Sequence, residues 1–419
     1  MNFSSHLSVP HIDMICLDKL AEIAVKVGLN IQDGQSVIIT APIESLPLTR
    51  LITKHAYLSG AGLVSIFYTD EETTLIRYQY SNHNGLSKAA DWLYKGMAQA
   101  YSAGTARLAI SGSNPVLLAD QDPDKIMRVD RAYFTSYKPA LEKISNFDIN
   151  WSIISYPSAS WARVVYPDDP EPIAIAKLAK AIFAISRANV DDPIEAWKKH
   201  NNFLHKRAKL LNDKHFSEIH FIGPGTFLKV GLVDGHLWQG GSSTAKNGVI
   251  CNTNIPTEEV FTTPHKLKVE GYVSSTKPLS YQGTLIDGIR VRFEEGRVVE
   301  AKALKNEAIF LKMLGSDSGA CRLGEVALVP NSSLVSKTGI LFYNTLFDEN
   351  ASSHIAFGQC YAKCFMNNSS LSSQQIEEQG GNTSIIHVDW MIGSNEIDVN
   401  GITKDGNSIP VMRKGEWVD

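Results

Sequence analysis

Four short apolar runs in the first 160 residues, each separated from the next by a longer stretch patterned as helix, most restrict what this chain can become. They are QSVIIT (35–40), LVSIFYTD (63–70), ARLAIS (106–111) and INWSIIS (149–155). The intervening segments carry helical periodicity at about 18–27, 46–58, 87–102 and onward from Asp124, with Gly60 and Gly62 closing the second. Strands this uniformly apolar must be covered on both faces, and helices between them supply the cover. The pattern therefore predicts βαβ units and a mostly parallel sheet.

Two more helical segments follow, at about 171–188 and 193–212, and then the character changes. Beyond residue 215 the chain becomes a series of short β-like runs joined by Gly, Pro, Asn and Asp: SEIHFIGPGTFLKVGLV, GHLWQGG, GYVSSTK, GIRVRFEEGRVVEAKAL, RLGEVALVP, GILFYNTLF, IIHVDWMIG and ITKDGNSIPVMRKGEWV. Helical pattern interrupts them at about 304–314 and 351–364. With 419 residues the chain exceeds one typical core. The expected organisation is an α/β domain over 1–215 with a mostly parallel sheet, then a mixed α+β, β-rich domain over 216–419.

Composition narrows the partners. A formal net charge of −4 and the lack of any run of Lys and Arg argue against a nucleic-acid partner. No stretch of about 18 apolar residues exists to span a membrane. The first twenty residues lack the basic start and apolar core of a signal peptide. The five cysteines, Cys16, Cys251, Cys321, Cys360 and Cys364, form an odd set without a disulfide-framework spacing, so a cytoplasmic protein is expected. GPGT (223–226) reads as a tight turn, and the basic helix around Lys198, Lys199, Lys206, Arg207 and Lys209 as a solvated face.

The chemistry-bearing residues concentrate in the second half. Glu258 and Glu259 stand in IPTEEVFTTPHK, Glu325 in RLGEVALVP, Glu349 and His354 in FYNTLFDENASSHIAFG, and His387 with Asp389 in IIHVDWMIG. Carboxylates can bridge two ions and neutral imidazoles can cap them, so this set suits one or two divalent cations with positions left open to water. His387 and Asp389 are two apart in a strand-like run and share a face. Asn350 is expected as an N-cap of a helix carrying His354 and Tyr361 two turns apart, with Glu349 just ahead of it. Glu325 is a carboxylate among apolar neighbours, costly to bury unless paired or coordinated. Of the adjacent Glu258 and Glu259, an extended backbone turns only one toward a given site.

These motifs, with GYVSSTKPLSYQG, ISGSNPVLLADQDPDKI and the terminal DGNSIPVMRKGEW, resemble the aminopeptidase T family of cobalt-, zinc- or manganese-dependent metallo-aminopeptidases nearly end to end. The resemblance implies metal ligands at Glu259, Glu325, His354, His387 and Asp389, with Glu349 as a further ligand and Glu325 bridging two divalent ions (Zn, Co or Mn). It places Tyr361 as the tyrosine beside the metals. It implies short peptides with a free N-terminus as substrates, and a homodimer enclosing the sites in a chamber. Glu258 is the expected proton carrier between water and leaving amine, and Tyr361 the expected donor to the oxyanion. Two departures from the family pattern occur, Phe227 where Asp usually follows GPGT and Ser353 where Cys commonly precedes the histidine. The rival readings are another metal-dependent amide hydrolase, such as an amidase or carboxypeptidase, and a catalytically inactive metal-stabilised binding protein.

Overall fold

The computed structural model describes residues 10–366 and 371–418. Two compact units make up the chain. One runs through Lys199 and takes back Ser242–Pro256, and the other comprises His200–Gly241 together with the chain from Thr257 onward.

The first unit is the α/β half. Its strands are β1 (Val37–Pro42), β2 (Val64–Thr69), β3 (Ala106–Ser111) and β4 (Trp151–Ser155), all parallel, in the order β2-β1-β3-β4. The helices around them are α1 (Met14–Ile23), α2 (Leu46–Leu58), α3 (Glu71–Tyr80), α4 (Asp91–Ser102), α5 (Pro123–Ser145), α6 (Ala159–Val165) and α7 (Glu171–Ile185). Side-chain oxygens start several of them. Asp13 accepts from the Ile15 and Cys16 amides, Asp70 from Thr73, and Ser158 from Trp161. Each satisfies amides that the first helical turn leaves without a backbone partner.

The helix α8 (Pro193–Lys214) spans the division between units. Its later residues Leu204, Ala208 and Leu211 belong to the second unit's hydrophobic core.

That second unit is built on two antiparallel sheets. The larger holds β5 (Glu218–Gly223), β6 (Thr226–Leu232), β9 (Pro264–Ser274), β10 (Arg290–Glu294), β11 (Arg297–Lys302), β15 (Asp398–Ile402), β16 (Ser408–Arg413) and β17 (Glu416–Trp417), ordered β11-β10-β9-β6-β5-β15-β16-β17. The smaller holds β7 (Gln239–Gly240), β8 (Val260–Thr262), β12 (Leu323–Leu328), β13 (His354–Gly358) and β14 (His387–Met391), ordered β14-β13-β12-β8-β7. One helix of useful length, α9 (Glu307–Leu314), packs Phe310, Met313 and Leu314 into the same core.

Two expectations fail here. The helix expected at 351–364 is the strand β13, bounded by a single turn at Glu349–Ala351 and another at Ala362–Cys364. Ala, Cys and Ile at helical spacing favour a helix locally, but β13 pairs along its length with both β12 and β14, and that ladder overrides propensity. Asn350 is accordingly not a helix N-cap. GILFYNTLF (339–347) likewise forms no strand: it follows the short helix Leu334–Thr338 and runs into another, Thr345–Asp348, which Asn344 caps. Of the polar loop at 367–375, residues 367–370 lie outside the described residues, and Ser372 opens a short helix with a reciprocal capping box to Gln375.

Candidate metal centre

The smaller sheet has two unlike faces. Val326, Leu328, Ile355, Phe357, Val388 and Trp390 point into the core, with the Phe357 and Trp390 rings stacked 5.4 Å apart. The alternating positions on the other face are Glu325 and Ala327 on β12, His354, Ala356 and Gly358 on β13, and His387 and Asp389 on β14. Cross-strand register sets them opposite one another. Glu325 faces Ala356, which faces Asp389; Ala327 faces His354; Gly358 faces His387. Small residues therefore stand beside each ligand-type side chain, leaving room above the sheet.

A bulge makes this possible. Leu323 and Glu325 are two apart, yet Leu323 belongs to the core and Glu325 to the polar face, because the register shifts between them. Bulges re-aim side chains in this way. The residue at the bulge is Gly324, where a Cβ would fall 2.4 Å from the Gly358 carbonyl oxygen and 2.3 Å from that of Gln359.

Five of the expected ligands converge. His354 Nε2 lies 3.1 Å from Glu259 Oε2 and 3.6 Å from Glu325 Oε1. His387 Nε2 lies 3.6 Å from Glu325 Oε2 and 3.3 Å from Asp389 Oδ1. The result is two triads sharing Glu325, one with Glu259 and His354, the other with His387 and Asp389. Within each triad the ligand-type atoms fall within 4.8 Å of one another.

Both imidazoles are held from behind. His354 Nδ1 donates to the Ser352 carbonyl at 3.1 Å, and His387 Nδ1 to the Gln359 carbonyl at 2.7 Å. A carbonyl only accepts, so each ring keeps its proton on Nδ1 and turns Nε2 toward the carboxylates. This is the arrangement that orients histidine ligands in metalloproteins.

The donor set fits a cation on a further observation. Glu259 Oε2, His354 Nε2 and Asp389 Oδ1 are buried and make no hydrogen bond among the described residues. The His354–Glu259 and His387–Asp389 pairs are close, but these atoms are not aligned as hydrogen bonds. Two ligand atoms each about 2.0–2.2 Å from one ion in tetrahedral array would stand roughly 3.3–3.6 Å apart, near the observed separations. Electrostatics agree. Burial drives the Glu325 carboxyl up to about 7, with Glu259 and Asp389 adding to the rise against the opposing His354. Burial alone would lower His387, yet Asp389 and Glu325 lift it to about 9, and Glu259 and Glu325 likewise hold His354 well above its ordinary value. Without a cation the cluster has to retain protons that a cation would displace.

The other expected residues lie around this cluster in different ways. Glu349 sits in the turn ahead of β13, outside both triads, with its Oε1 3.4 Å from Asn350 Nδ2. Burial, then the charges of Asp389 and Glu259, hold its carboxyl well above the ordinary range. Tyr361 shares no helix with His354. It follows β13, its ring centroid 4.8 Å from that of His387 and edge-on to Phe261 at 5.8 Å. Lys363 Nζ stands 4.7 Å from the Phe261 centroid and 5.8 Å from that of Tyr361. Glu258 points away from its neighbour's cluster, its Oε2 3.8 Å from His200 Nε2.

Sequence reasoning did not single out Gly324, Ala356 or His200, and it misjudged Asn350. A glycine preceding a carboxylate within an apolar run was the available signal for the first. Asp348, at the end of the short helix Thr345–Asp348, is buried and accepts from the Phe342 and Asn344 amides at 2.8 and 2.9 Å, and burial raises its carboxyl to about 7 despite them.

Residues 15–417 match the family model described as thermophilic metalloprotease (M29). Aminopeptidase T of Thermus thermophilus is 50% identical over 402 residues, covering 96% of this chain and 98% of that protein. Aminopeptidase 2 of Geobacillus stearothermophilus is 44% identical over 96% of this chain and 97% of its own length. Among solved structures, wild-type AmpT from Thermus thermophilus superposes with a TM-score of 0.91 at 48% identity, covering 96% and 99% of the two chains. A 2,5-dihydroxypyridine dioxygenase from Pseudomonas putida, at 11% identity and a TM-score of 0.52, shares the fold alone.

Proposed function

Because the chain belongs to the thermophilic metalloprotease (M29) family, we propose that the carboxylate–imidazole cluster is a two-cation aminopeptidase centre. The protein is a metal-dependent aminopeptidase, releasing N-terminal residues from peptides. The observation that most supports the two-cation reading is Glu325, whose two carboxylate oxygens face two different histidines, each at 3.6 Å. In this reading Glu259, Glu325 and His354 would hold one ion, Glu325, His387 and Asp389 the other, and Glu349 would be a further ligand. Zinc, cobalt and manganese all suit a set of carboxylates and imidazoles.

When bound, such ions polarise the scissile carbonyl and lower the pKa of water toward neutrality. The remaining work falls to the chain's own residues. Glu258, the expected proton carrier, faces His200 and lies outside both triads, so passing the water's proton to the leaving amine would need that side chain to turn toward the cluster. The Tyr361 hydroxyl donates to the oxyanion that develops on the carbonyl. The negative wall of Glu259, Glu349 and Asp389 suits a protonated or metal-coordinated α-amine, consistent with a requirement for a free N-terminus. Short peptides are the proposed substrates, with the chain acting as a cytoplasmic homodimer, a state that sedimentation equilibrium would measure.

Glu325→Gln tests the centre. Metal bound per chain should fall from two ions to one or none, and hydrolysis of leucine p-nitroanilide should drop at least a hundredfold, on the order seen when a ligand is lost. Full metal content and activity in that variant would overturn the assignment. N-acetyl-leucine p-nitroanilide should be inert, and its cleavage would favour an amidase instead.

A further inference from the structure

We propose that His200 and Asn350 are positioning residues that clamp the Thr257–Glu258 peptide from its two ends, and so decide which of two adjacent carboxylates meets the metals. The proposal rests on the aminopeptidase reading of the centre. Thr257, Glu258 and Glu259 are buried, yet they precede β8 and belong to no strand. Side chains serve the peptide that joins the first two. His200 Nε2, on α8, donates to the Thr257 carbonyl at 2.7 Å, and the Glu258 amide donates to Asn350 Oδ1 at 2.6 Å.

Asn350 has no freedom to do otherwise. It is fully buried, its amide nitrogen donates to the Leu346 carbonyl at 3.0 Å and reaches Glu349 Oε1 at 3.4 Å, and its own carbonyl accepts from the Ser333 hydroxyl at 3.0 Å. Flipping the side-chain amide would set its donors against the Glu258 N–H and its oxygen against the Leu346 carbonyl, leaving buried groups unpaired. One side chain thereby ties the segment bearing Glu258 and Glu259 to the turn bearing Glu349. His200 closes the other end. The nitrogen that donates to Thr257 also lies 3.8 Å from Glu258 Oε2.

The consequence is directional. Successive side chains of an extended segment face opposite ways, and with this peptide fixed Glu258 turns to His200 while Glu259 turns to His354. A rotated peptide would exchange or misplace them. Glu259 supplies a ligand, so the clamp acts on metal retention and, through it, on turnover without touching substrate.

Four variants decide it: His200→Leu, His200→Gln, Asn350→Ala and Asn350→Leu. In His200→Leu and Asn350→Ala, kcat should fall and chelator competition should show weaker metal binding, each by about 10- to 100-fold, as when outer partners of ligands are removed. KM should stay within about twofold, because substrate contacts are intact. His200→Gln, whose amide can still donate to the Thr257 carbonyl, should recover most of both. In metal-free protein the Glu258 amide should exchange with deuterium faster in Asn350→Ala, and also in Asn350→Leu, which fills the volume should the alanine variant fail to fold. Unchanged kcat and metal affinity, an equal loss in His200→Gln, or unaltered Glu258 exchange would each overturn the clamp. A wild-type chain without aminopeptidase activity would sink the underlying reading instead, and the exchange comparison on metal-free protein would still decide the clamp.

Discussion

Each histidine of the centre gives one ring nitrogen to a backbone carbonyl and the other to carboxylates, and comparable backbone anchoring sets the loops around it. Asp317 is an example. Its carboxylate accepts from the Ile385, Gly319 and Ala320 amides and from the Ser384 hydroxyl, pinning the chain two residues ahead of His387. Burial alone would raise this carboxyl, but the four donors outweigh it and hold the carboxyl below its ordinary value. A group depressed in the folded state contributes stability above its unfolded pKa, near 4, and loses it as pH falls through the folded value. Asp317→Asn should therefore melt a few degrees lower than wild type at pH 7. The difference should shrink as pH is lowered through 4 toward 3, which a pH series of thermal melts would measure. A constant offset at every pH would contradict the assignment. At this scale the carboxylates and imidazoles of the cluster were readable from residue type, whereas their backbone anchors were not, since nothing in the chain marks the Ser352 and Gln359 carbonyls as the acceptors that orient the two rings.

Among elements, the smaller sheet owes its polar face to two features, small residues opposite the carboxylates and imidazoles and the bulge at Gly324. Ala356 lies in one cross-strand row between Glu325 and Asp389. Replacing it with Leu should fill the space between the carboxylates, reducing bound metal and activity by at least tenfold. A core substitution that overpacks costs about 1–3 kcal/mol, so the fold should survive, and metal analysis beside circular dichroism separates the two effects. Gly324→Ala should be worse, because the added carbon meets the backbone carbonyls of Gly358 and Gln359, which have no rotamer to yield. Expected are a lower melting temperature and weaker metal binding together. The alternation in HVDWM was legible as a strand with His387 and Asp389 on one face. That of HIAFG was not, because His354 to Gly358 becomes a strand only by pairing with β12 and β14 on either side. Tyr361 reaches His387 all the same, through a ring contact after the strand and not along a helix.

In the whole molecule the centre gathers four carboxylates, Glu259, Glu325, Glu349 and Asp389, in one buried region beside two imidazoles. Divalent cations held there would relieve that repulsion, and their removal should then destabilise the protein. A ligand present at a thousand times its Kd adds about 4 kcal/mol per site. At roughly 2–4 °C per kcal/mol for domains of this size, exhaustive chelation should lower the melting temperature by roughly 10 °C if one site is emptied and roughly 20–30 °C if both are. Readdition of zinc, cobalt or manganese should restore it. A melting temperature indifferent to chelator would argue against a buried cation site.

The amino-acid sequence alone specified the parallel α/β half, the β-rich second half and the residues with metal-binding chemistry, because periodicity and residue type are properties of the local chain. It could not specify which way Glu325 faces, that His354 begins a strand, or that Asn350 reaches back to the Glu258 amide. Those depend on a bulge, on ladders between distant segments and on a contact between residues 92 positions apart. Such choices arise only when segments far apart in the chain compete for the same backbone partners, and tertiary structure alone resolves that competition.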